Sequence, residues 1–260
     1  MASNPILRLE RNPSGRDFVV GDIHGQFHLL DKLMSIARFD PSRDRILCVG
    51  DLVDRGRDSE RCLEFLREPW FFSVRGNHEQ AIITAWESMD DLQCLLWVSR
   101  MGGAWWTTMG RARQCEFADA FSCLPIIIEV PFDQGTAGIV HAEPVCGQDW
   151  AHSRAMAHEL ARGATHWHCP LLWGRSRIQS HRALPVEGVT LVYTGHTICD
   201  APRRSANVVH LDTGAFLEGQ RRANRNYRLT MAELGVGMPG VTHGFIKDEG
   251  VELLIRRLPG

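Results

Sequence analysis

The chain has 260 residues, enough for one large domain or two small ones and for a sizeable buried core. It is 44% hydrophobic and 23% charged, an ordinary globular balance, with a formal net charge of −2 and a pI of about 6.6. Such a balance excludes an overall basic field that would draw the chain to nucleic acid or to an anionic membrane.

The opening MASNPILRLERN has no apolar h-region, so no secretory signal is expected. No apolar run approaches the ~20 residues of a membrane helix, so the expected address is the cytoplasm with no membrane partner. The first strand-like run is FVV at 18–20, and RILCV at 45–49 and FFSV at 71–74 follow it. Helical periodicity lies between them: FHLLDKLMSIA, with Leu29, Leu30, Leu33 and Ile36 on one face, and SERCLEFLRE, with Ser59 as its expected N-cap. A third and longer helix is expected over QAIITAWESMDDLQCLLWV. From there strands dominate: IIIEV at 126–130, AGIV at 137–140, TLVY at 190–193, NVVHL at 207–211, and a C-terminal hairpin turning at Asp248-Glu249-Gly250. The stretch from Asp149 to Leu172 reads as a helix followed by an irregular excursion, and EGQRRANRNYR at 218–228 as a solvated loop. Alternation followed by a strand-rich half predicts an α/β fold, two packed sheets with helices outside, in one domain over residues 1–260. The eight cysteines are scattered and form no C-x-x-C pair, so they are expected as reduced, buried apolar fillers.

Five of the strands run straight into polar motifs: VVGDIHG, VGDLVDRG, VRGNHEQ, VHAEP and TGHT. A single Gly-Asp after a strand is a turn, because aspartate bonds its own backbone there. Five such endings on one sheet edge bring side chains together. The converging set is Asp22, His24, Asp51, Asn77, His141 and His196, all oxygen and nitrogen donors. Two carboxylates and three imidazoles crowded away from water are costly without a counter-charge. Two divalent cations resolve that cost; such ions sit ~3.5–4 Å apart in two-metal hydrolases and share a bridging anion. The mixed donor set favours manganese, iron or zinc over magnesium alone.

GDIHG, GDLVDRG and GNHE, in that order, resemble the phosphoprotein phosphatase family of metallophosphoesterases. VHAEP, LLWGRSRI, YTGHT, HLDTGA and MGGAWW resemble its small bacterial and phage branch, the lambda-phage phosphatase type, over residues 17–220. The resemblance implies a two-sheet β-sandwich flanked by helices, layered α/β/β/α. It implies a first metal held by Asp22, His24 and Asp51, and a second held by the bridging Asp51 with Asn77, His141 and His196. Arg55, Arg75 and Arg175 would bind phosphate, and His78 would be the general acid, oriented by Asp54. The activity implied is hydrolysis of phosphoserine and phosphothreonine in proteins or peptides, with phosphotyrosine as an extension, by direct attack of metal-bound hydroxide. Manganese is the favoured metal. A bis(5′-nucleosyl)-tetraphosphatase or other nucleotide phosphohydrolase sharing the same motifs is the alternative; a nuclease is disfavoured by charge, and a non-enzymatic binding module by the intact ligand set and His78. Glu79 is expected to fix loop structure, Asp212 to hold a strand-to-turn corner, and Trp105-Trp106 to belong to the core or the cleft rim. His166-Trp167-His168-Cys169 fits rim histidines better than a structural zinc, whose ligand spacing it lacks.

Overall fold

The computed structural model describes residues 4–88, 91–180, 184–218, 227–236 and 243–256. Its strands are β1 Ile6–Arg8, β2 Asp17–Val20, β3 Arg45–Cys48, β4 Phe71–Ser73, β5 Ile127–Phe132, β6 Gly135–Val140, β7 Leu191–Thr194, β8 Arg203–Ser205, β9 Val208–His210, β10 Leu229–Glu233, β11 His243–Asp248 and β12 Val251–Arg256. The helices are α1 Phe27–Ala37, α2 Cys62–Leu66, α3 Asn77–Ser88, α4 Asp91–Met101, α5 Arg111–Ser122, α6 Trp150–Ala161, α7 Pro170–Trp173 and α8 Ser176–Gln179. A 3₁₀ turn over Gly103–Thr108 follows α4.

Two mixed six-stranded sheets result. One runs β1-β5-β6-β7-β9-β8, the other β11-β12-β10-β2-β3-β4. Strands β2, β3 and β4 are mutually parallel, as are β6, β7 and β9, so their C-terminal ends share an edge within each sheet. Side chains alternate across each strand, and the alternation sorts them into layers. Val19, Leu47, Ile128, Val130, Ile139, Leu191 and Tyr193 pack between the two sheets. Phe18, Val20, Ile46 and Cys48 face the other way, onto α1, α2 and the α3–α5 group. Ile127, Val140 and Val192 cover the far face of the first sheet, against Trp150 and Ala157 of α6 and Leu171 of α7. The order is α/β/β/α, with both faces of both sheets covered; that burial is why the strands read as continuous apolar runs.

Three differences from the sequence reading have local causes. The long helix expected at 80–98 is two helices, α3 and α4, and α3 starts earlier, at Asn77. Ser59 does not cap a helix; its hydroxyl accepts the Asp54 N–H at 3.0 Å instead. Strands β1, β8 and β10 were not anticipated: β1 and β8 are three residues long, and β10, LTMAE, lacks a strand-like run of β-branched residues. Most of the 218–228 loop falls outside the described residues. Arg228 is nonetheless buried, with Nε donating to Glu252 Oε2 at 2.6 Å, so it is not a solvated loop residue. All eight cysteines are free, but only Cys48, Cys62 and Cys169 are buried, while Cys123 and Cys146 are exposed. Among the described residues no helix is long and apolar enough to cross a membrane.

Candidate dinuclear metal centre

Three of the five strand-end motifs, GDIHG, GDLVDRG and TGHT, deliver their side chains from tight, strained turns. Eight non-glycine residues have positive φ among the described residues, and five belong to the candidate site: His24, Asp51, Asp54, Arg55 and His196. Backbone strain of this kind persists only where surrounding structure over-determines it, and it concentrates at functional sites. Two glycines make room for the acids. A Cβ on Gly76 would stand 2.2 Å from Asp51 Oδ1, and one on Gly195 would stand 1.8 Å from Asp22 Oδ1.

Asp51 lies at the centre. Its Oδ2 is 3.6 Å from His24 Nε2, 3.8 Å from His78 Nε2 and 3.5 Å from His141 Nε2. The donor atoms of His24, Asp51 and His78 lie within 4.8 Å of one another, as do those of Asp51, His141 and His196. Asn77 Oδ1 joins the second group, 2.7 Å from His141 Nε2 and 2.9 Å from His196 Nδ1. Asp22 is in neither group; its two oxygens accept the His196 N–H at 3.2 and 3.0 Å.

The tautomers test whether cations fit. Nδ1 of His24 and of His141 each lies 2.9 Å from a backbone carbonyl, that of Val53 and of Val49. Both must be N–H donors there, which leaves both Nε2 lone pairs facing the site, the usual arrangement of a ligating histidine. His141 Nε2 then meets the Asn77 carbonyl oxygen lone pair to lone pair, with His196 Nδ1 3.2 Å away. His141 Nε2 and Asn77 Oδ1, two acceptors 2.7 Å apart, repel each other unless a cation, or a proton on His196 Nδ1, lies between them, and the trio suits ligation of one cation. On the other side a cationic group already sits against the lone pair: Arg55 Nη1 is 2.8 Å from His24 Nε2.

The electrostatics agree. Burial, then Asp212 and Asp51, push Asp22 well above the usual carboxylate range. Burial also pushes Asp212 up to about 6. Asp51 lies low: burial opposes this, but the imidazoles of His141, His78, His24 and His196 outweigh it. Burial lowers His24 and His141, and it lowers His196 to about 2, so these three stay neutral and fit for ligation. His78 goes the other way. Burial again opposes the shift, but Asp51 and Asp54 raise it.

Supporting residues surround this centre. Glu79, fully buried, accepts the N–H groups of Asp51 and Gly76 on Oε2 at 2.9 and 2.8 Å, and of Leu52 on Oε1 at 2.8 Å. It is the loop-fixing residue expected. His78 Nδ1 donates to Asp54 Oδ2 at 2.6 Å, while its Nε2 is buried without a partner. Asp212 holds its corner through the Gly214 N–H at 2.9 Å. Arg55 lies 4.4 Å above the Phe216 ring. Arg175 Nη1 donates to Thr197 Oγ1 at 3.1 Å, beside His196. Glu143 places the turn that carries Arg175, accepting Ser176 N–H at 3.2 Å and Arg177 N–H at 2.7 Å.

Arg75 stands apart from the set it was expected to join. Its Nη1 donates to Gln80 at 3.0 Å and its Nη2 to the carbonyls of Ser122 and Leu124 at 2.8 and 3.2 Å. It lines a cavity of about 670 Å³ with Gln80, Cys123 and His166, and none of the six metal-site residues lines that cavity. Its two η nitrogens are engaged by Gln80 and two carbonyls, while its Nε is buried without a hydrogen-bond partner, so the structure places it beside this cavity and not with the donor cluster. Of the two tryptophans, Trp106 is in the core, whereas Trp105 Nε1 donates to Asp54 Oδ1 at 2.6 Å. Trp97, Glu143 and Phe216 were missed. The only sequence signal for Glu143 is its place two residues after His141; nothing local marks the other two.

Residues 18–200 match the model of the calcineurin-like phosphoesterase family. The serine/threonine-protein phosphatase 1 of Salmonella typhimurium is 38% identical over 218 residues, 82% of this chain and 93% of that one. The serine/threonine-protein phosphatase 2 of Escherichia coli is 32% identical, covering 78% of this chain and 89% of that one. Among solved structures, a Saccharomyces cerevisiae protein serine/threonine phosphatase superimposes with a TM-score of 0.52 at 16% identity, over 92% of this chain and 86% of that one, a likeness of fold. With that fold, those strand-end donors and those relatives, this chain belongs to the calcineurin-like phosphoesterase family.

Proposed function

We infer that the chain is a two-metal phosphomonoesterase acting on phosphoserine and phosphothreonine in proteins or peptides, with phosphotyrosine within reach. The observation that carries the reading is the meeting of two acceptors, His141 Nε2 and Asn77 Oδ1, at 2.7 Å, with His196 Nδ1 and Asp51 beside them. Asp22, His24 and Asp51 would hold one cation, and Asp51, Asn77, His141 and His196 the other. Two such cations supply water activation and charge neutralisation at phosphorus. Manganese is the metal proposed, on the mixed oxygen and nitrogen donors. Alignment with named serine/threonine-protein phosphatases along about four-fifths of the chain supports the choice of substrate.

The chain's own residues do the rest. Arg55 and Arg175 flank the centre on opposite sides, against His24 and beside His196, and their guanidinium forks match phosphate oxygens. His78 presents Nε2 to the centre and holds its Nδ1 proton against Asp54, so it donates a proton to the departing alkoxide. The whole chain would act as one catalytic domain in the cytoplasm, and a net charge of −2 favours no nucleic-acid partner. A turnover panel after manganese loading tests the reading: phosphoserine peptide, phosphotyrosine peptide, diadenosine tetraphosphate and a phosphodiester. Phosphoserine turnover should dominate; dominant turnover of the tetraphosphate would overturn the assignment.

A further inference from the structure

Asp54 is buried without exposure, on a turn where both it and Arg55 have positive φ. Its carboxylate is gripped from three directions. His78 Nδ1 donates to Oδ2 at 2.6 Å, Trp97 Nε1 donates to the same oxygen at 2.7 Å, and Trp105 Nε1 donates to Oδ1 at 2.6 Å. The two indoles come from α4 and from the 3₁₀ turn that follows it. Between them, Gly102 accepts the Arg55 N–H at 3.2 Å, and its φ of +85 lets its backbone press against Arg55. Trp97 and Trp105 both pack on Trp106, with centroids 5.4 and 5.9 Å away, and Trp105 packs on Phe117 at 5.0 Å. The N–H groups are therefore fixed by a packed aromatic cluster.

Tryptophan in such a cluster could be present for bulk alone. The N–H geometry says otherwise. An indole offers one donor, and here both donors end on the two oxygens of one buried carboxylate, at charge-assisted distances. A carboxylate in a dry site accepts several strong donors, and each one removes a direction in which it can turn. With Oδ1 held by Trp105, Oδ2 has a single orientation left, the one that meets His78 Nδ1. The imidazole Nε2 is thereby aimed at the centre occupied by Asp51, 3.8 Å from Oδ2.

We propose that Trp97 and Trp105 are positioning residues for proton donation to the leaving group, acting through Asp54 on His78. The proposal rests on the reading of His78 as the proton donor. It makes the helical cap α4 and its 3₁₀ turn a support of the catalytic apparatus, acting through Asp54.

The test uses the full-length, manganese-loaded enzyme and two substrates, a phosphoserine peptide and an activated aryl phosphate. Trp97→Phe and Trp105→Phe each remove one N–H and keep an aromatic ring. Each should lower kcat on the phosphoserine peptide by roughly ten-fold, the lower end of what one hydrogen bond to a charged group is worth. The aryl phosphate, whose leaving group needs little proton help, should lose far less, and KM and bound metal should hold. In an Asp54→Asn background, where the shared acceptor is altered, either Trp→Phe change should add nothing to the substrate bias. Equal losses on both substrates, or full additivity with Asp54→Asn, overturns the proposal. Failure of the underlying reading looks different: His78→Asn and Asp54→Asn would then themselves show no substrate bias, whatever the tryptophan variants do.

Discussion

Glu79 carries a measurable share of the stability of the metal loop. Replacing it with glutamine keeps its size and exchanges one acceptor oxygen for an NH₂ group. If the amide oxygen takes the place of Oε2, the bonds to Asp51 and Gly76 survive in weaker, neutral form, and the NH₂ faces the Leu52 N–H donor to donor. The reverse orientation loses two bonds in place of one. A hydrogen bond to a charged group contributes about 1.5–3 kcal/mol, and an orphaned buried donor costs about 1–3 kcal/mol. Burial and Asp51 push Glu79 up to about 7, so loss of its buried charge offsets part of that cost, and Glu79→Gln should destabilise the apo protein by about 1.5 kcal/mol at neutral pH, a fall in Tm of roughly 3–6 °C at this chain length. The loop it releases bears Asp51 at φ 50, so affinity for the shared cation should fall as well. Urea unfolding with and without manganese gives both quantities, together with calorimetric metal titration. A change below about 0.5 kcal/mol, the range of an ordinary surface substitution, with unchanged metal affinity, would refute the reasoning.

Asp51→Asn should empty both metal positions, whereas Asp22→Asn should weaken one; elemental analysis of the two purified variants checks this, and equal losses would remove the bridging role from Asp51. Arg175→Ala should raise KM for phosphoserine peptide and weaken inhibition by inorganic phosphate with metal content intact, while Arg75→Ala, whose η nitrogens bond Gln80 and two carbonyls, should act through stability; a phosphate-affinity loss confined to Arg75→Ala would reverse the two assignments. His210, Nδ1 2.8 Å from Thr194 Oγ1, is lowered to about 4 by burial and by Arg203 and Arg177. Because the unfolded chain takes up this proton first, the stability His210 carries is complete above pH ~6.5 and is lost as the pH falls toward about 4. His210→Gln should flatten that part of the denaturation-midpoint curve, and an unchanged slope would count against the shift.

The convergence of the candidate site was legible because five separate strand endings each carried a donor, a coincidence that local turn chemistry does not produce. The sheets were legible because burial on both faces makes each central strand an apolar run. What was not legible depends on distant pairing. Strand β10 is recognisable only through its neighbours β2 and β12, and the role of Trp97 only through an aspartate 43 residues earlier in the chain. Ser59 misled for a related reason: its hydroxyl matches the N-cap preference, but the Asp54 N–H reached it first. Arg75 sits in the motif that supplies Asn77 and His78, and adjacency in sequence did not carry its side chain to the same side of the loop.

The strand order of the second sheet bears on how the chain is made. Strand β2, whose end leads to Asp22, is flanked on one side by β3, available soon after it leaves the ribosome. Its other neighbour is β10, beginning at Leu229, roughly 200 residues later. At a synthesis rate of about 5–20 residues per second, that edge stays open for on the order of 10–40 s. Throughout that interval Phe18-Val19-Val20 presents an unpaired apolar strand, the kind of edge that recruits other chains. Newly made protein is thus at its most adhesive just before Leu229–Glu233 closes the sheet. Slowed translation or truncation ahead of this segment should yield aggregate containing the strand that leads to Asp22 and His24.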